Sequence, residues 1–287
     1  MNLLLATDGS DGANAAAKFV AGFAPVTDTH LHVLSAQPED LTANECDEKA
    51  ERIFAATRAV LKGFAGSLST SSSQTRLSTG RIVERIQVAA EMMPADIVIT
   101  GSRGHSSLAR FFLGSVARGV VRHAPCSVLI GRAPHGAVDR VVVGVDDSDD
   151  SSVVTRFVRR LPLSRGCVIH LVCVAMSDAL ADHSGGMLPD SLRRTIAAAV
   201  DDAQAEGQKR LDEAAHELRA TGFTVSTQMR YGDPASELLE AVGSGADAAD
   251  LLVVGARRHN SLDEHFLGSV SAALIESANC AVLVVRQ

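Results

Sequence analysis

ADIVITGSRGHSSLARFFLGSVARGVV, residues 95–121, and ADLLVVGARRHNSLDEHFLGSVSAALI, residues 249–275, are one segment written twice. Each opens on a short run of branched apolar residues, passes through a glycine-bearing stretch, and closes on a helical pattern that begins with Gly-Ser. An apolar run without polar alternation describes a strand covered on both faces, as in a parallel sheet flanked by helices. The order strand, loop, helix is the repeating unit of such sheets. Because this unit recurs, the whole chain is read for repetition.

LLLATDGSDG at 3–12 returns as VVVGVDDSDD at 141–150, HLHVLSA at 30–36 as HLVCVAM at 170–176, and PCSVLIGR at 125–132 as NCAVLVVR at 279–286. The first element is offset by 138 and the glycine loop by 154, so the second copy gains 16 residues in between. Ser177–Asp190, with Gly-Gly and Pro, is expected to hold much of the gain. GRAPHGA at 131–137 has the composition of a linker. The expected domains are therefore 1–134 and 138–287, each an α/β unit with a five-stranded parallel open sheet and helices on both faces.

In the first unit, strands are expected at Asn2–Thr7, His30–Leu34, Gln74–Ser78, Asp96–Thr100 and Ser127–Ile130. Helices are expected near Gly12–Phe23, Asn44–Leu68, Arg81–Met93 and Ser115–His123. In the second, strands fall near Arg140–Val145, Cys167–Val174, Thr224–Arg230, Leu251–Val254 and Ala281–Arg286. Its helices fall near Ser152–Leu161, Ser191–Thr221, Pro234–Gly243 and Ser269–Ser277. Sheets of this kind bind ligands at the carboxyl ends of their strands, where the strand order reverses. The turns after the first and fourth strands should meet there.

Composition narrows the partners. The 287 residues are 46% hydrophobic and 21% charged, with a net charge of −7 and aromatics at 3%. An acidic chain with few aromatic platforms argues against nucleic acid. No apolar run reaches the length of a membrane helix. MNLLLATDGSD lacks the basic start and long apolar core of a signal peptide, so a cytoplasmic protein is expected. Five scattered cysteines without a C-x-x-C pair read as buried thiols in a reducing compartment. His30, His32 and Cys46 are poorly spaced for zinc, and no metal site is expected.

The loop of the first copy, GSRGHSSLARFFLGS, spaces its glycines as G-x2-G-x9-G-S through Gly101, Gly104, Gly114 and Ser115. A phosphate needs backbone N–H groups brought close, and side chains at those positions would block the approach. A helix N-terminus adds unpaired N–H groups and a favourable dipole. Ser115 suits both a helix N-cap and a hydroxyl donor to phosphate, and Arg103 and Arg110 add positive charge. Glycines that merely make turns are the competing reading. The pattern is neither a P-loop nor a dinucleotide fingerprint.

Together, the G-x2-G-x9-G-S loop, the Asp after the first strand (Asp8 and Asp146) and the hydrophobic final strand resemble a tandem universal stress protein. The likeness extends over nearly all of both halves. It implies an adenine-nucleotide alpha-hydrolase-like, Rossmann-like fold and an adenine-nucleotide site. ATP, with or without Mg²⁺, is the expected ligand, bound by many members and not by others. It also implies dimer-type packing through the last strand, which a tandem chain can satisfy internally as a pseudo-dimer and which leaves a homodimer open. Carried over by position, Ala6 and Asp8 would contact the adenosine and Val33 the adenine edge. Thr100 and Gly101 would lie around the ribose and first phosphate, with Gly104, Gly114, Ser115 and Val116 at the phosphates. From the residues alone, Asp8 is equally a ribose acceptor or a turn residue capping the next helix.

The second copy reads GARRHNSLDEHFLGS. Gly255, Gly268 and Ser269 persist, but Arg258 replaces the second glycine, and Asp263 and Glu264 offset Arg257 and Arg258. A left-handed backbone at that position would cost a non-glycine residue roughly 1–2 kcal/mol; the arginine could also serve as a phosphate cation. Residues 1–134 hold 13 basic and 12 acidic residues, and the remainder 14 and 22. A deficit of about 3 kcal/mol would weaken binding more than a hundredfold. ATP is expected in the first unit, with Asp146, Val174, Gly255, Gly268 and Ser269 marking a weaker second site. Near the loop, Asp8, His105 and Ser115 single out no catalytic base. The leading function is an ATP-binding regulatory protein read out by an unknown protein partner. A slow ATPase and a nucleotide-free scaffold are the alternatives.

Smaller features complete the reading. Asp233 and Pro234 should cap and open a helix, a start that the first copy's TGRIVERI lacks. Cys126 and Cys280 are equivalent and could approach each other if the last strands pair. The RRHN at 257–260 reads as a solvated loop.

Overall fold

The computed structural model describes residues 1–23, 28–104, 113–132, 137–146, 150–175, 190–256 and 267–286. The expected linker core at 133–136, the loop at 177–189, and Arg110, His105, Arg257, Arg258, Asp263 and Glu264 lie outside the described residues.

The first half runs β1 (Asn2–Ala6), α1 (Asp11–Ala21), β2 (His30–Pro38), α2 (Ala43–Val60), β3 (Ser67–Thr75), α3 (Thr79–Met92), β4 (Ile97–Gly101), α4 (Ser115–His123) and β5 (Ser127–Gly131). The second follows with β6 (Arg140–Val145), α5 (Asp150–Val158), β7 (Val168–Ala175), α6 (Asp190–Arg219), β8 (Thr224–Tyr231), α7 (Pro234–Val242), β9 (Leu251–Gly255), α8 (Ser269–Ser277) and β10 (Ala281–Val285). Local chemistry sets several boundaries. Ser10 accepts the Ala13 amide to start α1, and Thr42 and Glu45 form a reciprocal capping box on α2. Asp233 accepts the Ser236 amide ahead of Pro234. The equivalent start of α3, at Ser78, has no side-chain cap.

The expected pair of five-stranded sheets is one continuous sheet, in the order β3-β2-β1-β4-β5-β10-β9-β6-β7-β8. All neighbours are parallel except β5 and β10, which meet antiparallel with Val128 opposite Val284 and Ile130 opposite Val282. Alternate residues feed two cores. Leu3, Leu5, Val33, Ile99, Val143 and Leu283 pack with α1, α2, α5 and α6 on one face. Leu4, Val98, Ile130, Val142 and Val284 pack with α3, α4, α7 and α8 on the other. Each core runs through both halves.

Arginines lock the junction reciprocally. Arg132 donates to the carbonyls of Ile275 (2.7 Å) and Cys280 (3.1 Å) in the second half. Arg286 donates to the carbonyls of Val121 and Ala124 in the first. Antiparallel pairing sets Cys126 and Cys280 at opposite ends of the β5–β10 ladder, so they do not approach, and all five cysteines are free. The Asp of each repeated Ala-Asp pair pins the start of a neighbouring strand: Asp96 accepts the Asn2 amide and Asp250 the Arg140 amide.

Three expectations are corrected here. The third strand is Ser67–Thr75, not Gln74–Ser78, and α2 stops at Val60 rather than Leu68. SLSTSSSQT is an edge strand, paired on one side to β2 and largely exposed, so it needs no apolar run. The repeat of the second strand is also shifted by two residues. β1–β2 pairs Leu4 with His32, and β6–β7 pairs Val142 with His170, which makes His170 the counterpart of His32 rather than of His30. Side chains agree: His32 meets Ser69 and Ser71, and His170 meets Ser226 and Gln228. Finally, α6 has 30 residues against 18 in α2, so much of the second copy's gain lies in helix length.

Candidate functional site

Strand order reverses between β1 and β4 in the first half, and a cleft of about 390 Å³ opens at their carboxyl ends. Ala6, Thr7 and Asp8 leave β1 into its wall. Thr100, Gly101, Arg103 and Gly104 leave β4, and Gly114, Ser115 and Val116 open α4. The structure thus gathers Ala6, Asp8, Thr100, Gly101, Arg103, Gly104, Gly114, Ser115 and Val116 around one cavity.

Val33 is the exception. It is buried in the core under α1 and α2 and is absent from the wall, where Leu34 and Ala36 stand instead. The second strand runs nine residues to Pro38, so the segment that reaches the cleft lies further along than a strand ending at Leu34 would put it.

Backbone packing explains the glycines. A Cβ on Gly12 would fall 2.0 Å from the Arg103 carbonyl oxygen, and one on Gly101 would fall 2.3 Å from the Gly12 carbonyl carbon. These two glycines let the start of α1 press directly on the chain leaving β4. Ser10 closes the contact by donating to the Arg103 carbonyl (3.4 Å). Gly104 is not left-handed, which corrects the backbone argument for it. A Cβ there would sit 2.7 Å from the Asp8 carboxylate and would turn that side chain away from its present place. Gly114 differs again: a Cβ there meets atoms of the described residues no closer than 3.5 Å.

Gly114, not Ser115, is the N-cap of α4, in extended conformation with its carbonyl accepting the Arg118 amide. Ser115 occupies the first helical position and its hydroxyl pairs with that of Thr79 (3.0 Å). The amides of the first turn face no intrahelical acceptor and are available to an anion. Asp8 does not cap α1, a task done by Ser10; one carboxylate oxygen accepts the Ser10 amide at 2.9 Å, which fixes the turn.

Sequence reasoning missed Lys49 on α2 and Arg85 on α3, which join Arg103 on the wall, as do Gln37 and Thr79. The described wall therefore carries three cations against Asp8. Neither cation belongs to the loop motif, so the spacing of glycines held no trace of them. Only the helical period could have helped, since Arg85 sits between Ile82 and Ile86, which also line the cleft.

The second half departs at the same places. Buried Phe54 and Ala50 of α2 match Leu211 and Gly207 of α6, which sets Glu206 at the position of Lys49. Buried Ile86 and Ala90 of α3 match Leu238 and Val242 of α7, which sets Glu237 at the position of Arg85. Glu237 is bonded to Arg230 at 2.9 Å. Asp150 replaces Gly12. Gly268 caps α8 as Gly114 caps α4, with Ser269 at its first position, and Gly255 closes β9. Asp146 follows β6, and Val174 holds the register position of Ala36. Most of the connecting loop, 257–266, is outside the described residues.

A parallel α/β sheet with a glycine-bordered, cation-lined cleft at its switch point defines a class: open-sheet α/β proteins whose site lies at the carboxyl ends of the strands. The family model of the universal stress protein family matches residues 1–132 and again 137–286, and the chain belongs to that family. A universal stress protein of Mycolicibacterium smegmatis is 26% identical over 301 aligned residues, covering 99% of this chain and 96% of the relative. Another, of Mycobacterium tuberculosis, is 31% identical over 199 residues, covering 67% of this chain and only 62% of the relative's length. Among solved structures, a universal stress protein from Archaeoglobus fulgidus aligns over 100% of this chain and 96% of its own, with a TM-score of 0.63 at 20% identity.

Proposed function

We propose that the chain is an ATP-binding regulatory member of its family, that residues 1–134 and 138–287 form two ligand-handling units, and that nucleotide occupies mainly the first. The cation set of the cleft carries this reading. Lys49, Arg85 and Arg103 line the cleft onto which α4 opens in the first half, and acids replace two of the three in the second. A triphosphate gains from each of the first set, whereas Glu206 and Glu237 are paired with Arg210 and Arg230 and supply no free positive charge in their place.

The phosphates would lie over β4, against Gly104, Gly114, Ser115 and Val116, with Arg103 beside them. The ribose would lie at Asp8, over β1. Mg²⁺, where it accompanies ATP, would be held chiefly by phosphate oxygens, as is usual for this ion. A protein partner then reads that occupancy. Acid-denaturing the purified chain and assaying the released nucleotide tests the proposal. Adenine nucleotide at up to one equivalent per chain supports it; a chain that releases none and gives no titration heat with ATP contradicts it.

A further inference from the structure

Gln37 ends β2 on the cleft wall and is 0% exposed. Its amide nitrogen donates to the Ser35 hydroxyl at 2.9 Å, and Ser35 is also fully buried. Its amide oxygen has no hydrogen-bond partner in the protein. A buried acceptor left unmade is costly, and native proteins keep such groups rarely. The fold does not require it: β7 carries Ala175 at the register position of Gln37 and Cys173 at that of Ser35. The buried amide and hydroxyl are thus confined to the half whose cleft keeps its cations.

Strand order says which part of a ligand this oxygen meets. The sheet runs β2, β1, β4 across the cleft, with neighbours about 4.8 Å apart. An anion held at the β4 loop and a sugar at the β1 end leave the third group of a nucleotide, its base, above β2, roughly 10 Å from the phosphates. One amide hydrogen is committed to Ser35, which holds the side chain with its oxygen unpartnered, and that oxygen is the acceptor Gln37 offers the base. An exocyclic amine satisfies that acceptor; a carbonyl at the same position is repelled by it.

We infer that Gln37 is a specificity-determining residue of the first cleft, selecting a nucleobase that presents an amine over β2, as adenine does, against one that presents a carbonyl, as hypoxanthine does. The inference rests on the nucleotide reading above. Binding requires the wall around Gln37 to shift enough to admit the base edge, since the oxygen is out of contact with water in the present conformation.

ATP and ITP differ in the exchange of this amine for a carbonyl and in the N1 proton that goes with it, and the test is calorimetric titration of the intact chain with each. The wild-type chain binds ATP at least tenfold more tightly than ITP, and Gln37→Leu brings the ratio close to one, chiefly by weakening ATP. Gln37→Met, of similar volume, repeats the result and guards against a folding defect in the first variant. A tenfold preference that survives in both folded variants overturns the inference while leaving nucleotide binding intact. So does a wild-type chain that prefers ITP or treats the two alike. A chain that binds neither removes the nucleotide reading and this inference with it.

Discussion

Glycines of the same motif serve different ends, and substitution separates them. Gly12→Ala or Gly101→Ala drives a methyl into backbone atoms at 2.0–2.3 Å, so each should destabilise the chain by about 3 kcal/mol or more, read as a fall in denaturation midpoint. Gly114→Ala meets nothing closer than 3.5 Å among the described residues and should leave the midpoint within about 2 °C. Its methyl would instead hold a phosphate off the α4 amides and weaken ATP roughly tenfold, about 1.4 kcal/mol. Equal loss of stability in all three would show that Gly114 is structural. The thiols give a second residue-scale expectation. Burial pushes Cys126 and Cys280 up to about 11 and Cys167 up to about 12. All three stay protonated at pH 8, so iodoacetamide should leave them unmodified in the native chain and label them after unfolding. Rapid native labelling would contradict their burial.

At the scale of elements, the two matching helix starts differ in a way that pH exposes. The Ser236 amide and hydroxyl hold the Asp233 carboxyl below its ordinary 3.8. The depressed value means that the cap's contribution is complete above about pH 3.8 and is lost as pH falls through the lower, folded value. Asp233→Asn keeps an accepting oxygen and should flatten that acid limb; an unchanged acid profile would remove the cap from the account. Helices α2 and α3 also deliver the cations that the loop motif does not contain, and Lys49→Ala and Arg85→Ala should each weaken ATP about three- to tenfold.

These elements also show what could be read beforehand. Apolar β1, β4, β5 and their repeats were legible because both faces are buried and nothing polar interrupts them. Serine-rich β3 was not, because an edge strand is specified by one ladder and little burial. The loop glycines are legible as a set, but spacing does not tell their backbones apart: Gly104 is not left-handed, and its nearest neighbour is the Asp8 carboxylate. Val33, carried over by resemblance, lies in the core, while the strand runs on to Pro38 and brings Ala36 and Gln37 to the cleft wall. Lys49, Arg85 and Gln37 could not be found from a local motif, since helix packing and sheet register bring them to the cleft from distant segments.

Over the whole molecule, the antiparallel β5–β10 seam turns two repeats into one sheet with two shared cores. The halves should therefore unfold together, in one calorimetric transition rather than two. Arg132→Ala and Arg286→Ala each remove charged donors from backbone carbonyls across the seam and should cost roughly 2 kcal/mol apiece. Two resolved transitions in the wild-type chain would mean that the seam does not couple the halves. Among the described residues no helix is long and apolar enough to cross a membrane.

Titration of the intact chain with ATP, alongside Gly104→Arg, tests the central claim most directly. That substitution copies the second half's residue into the first and drives a Cβ to 2.7 Å from the Asp8 carboxylate. One site per chain, lost in Gly104→Arg, is the predicted result. No heat with ATP, two equal sites, or a site that survives the substitution would contradict it.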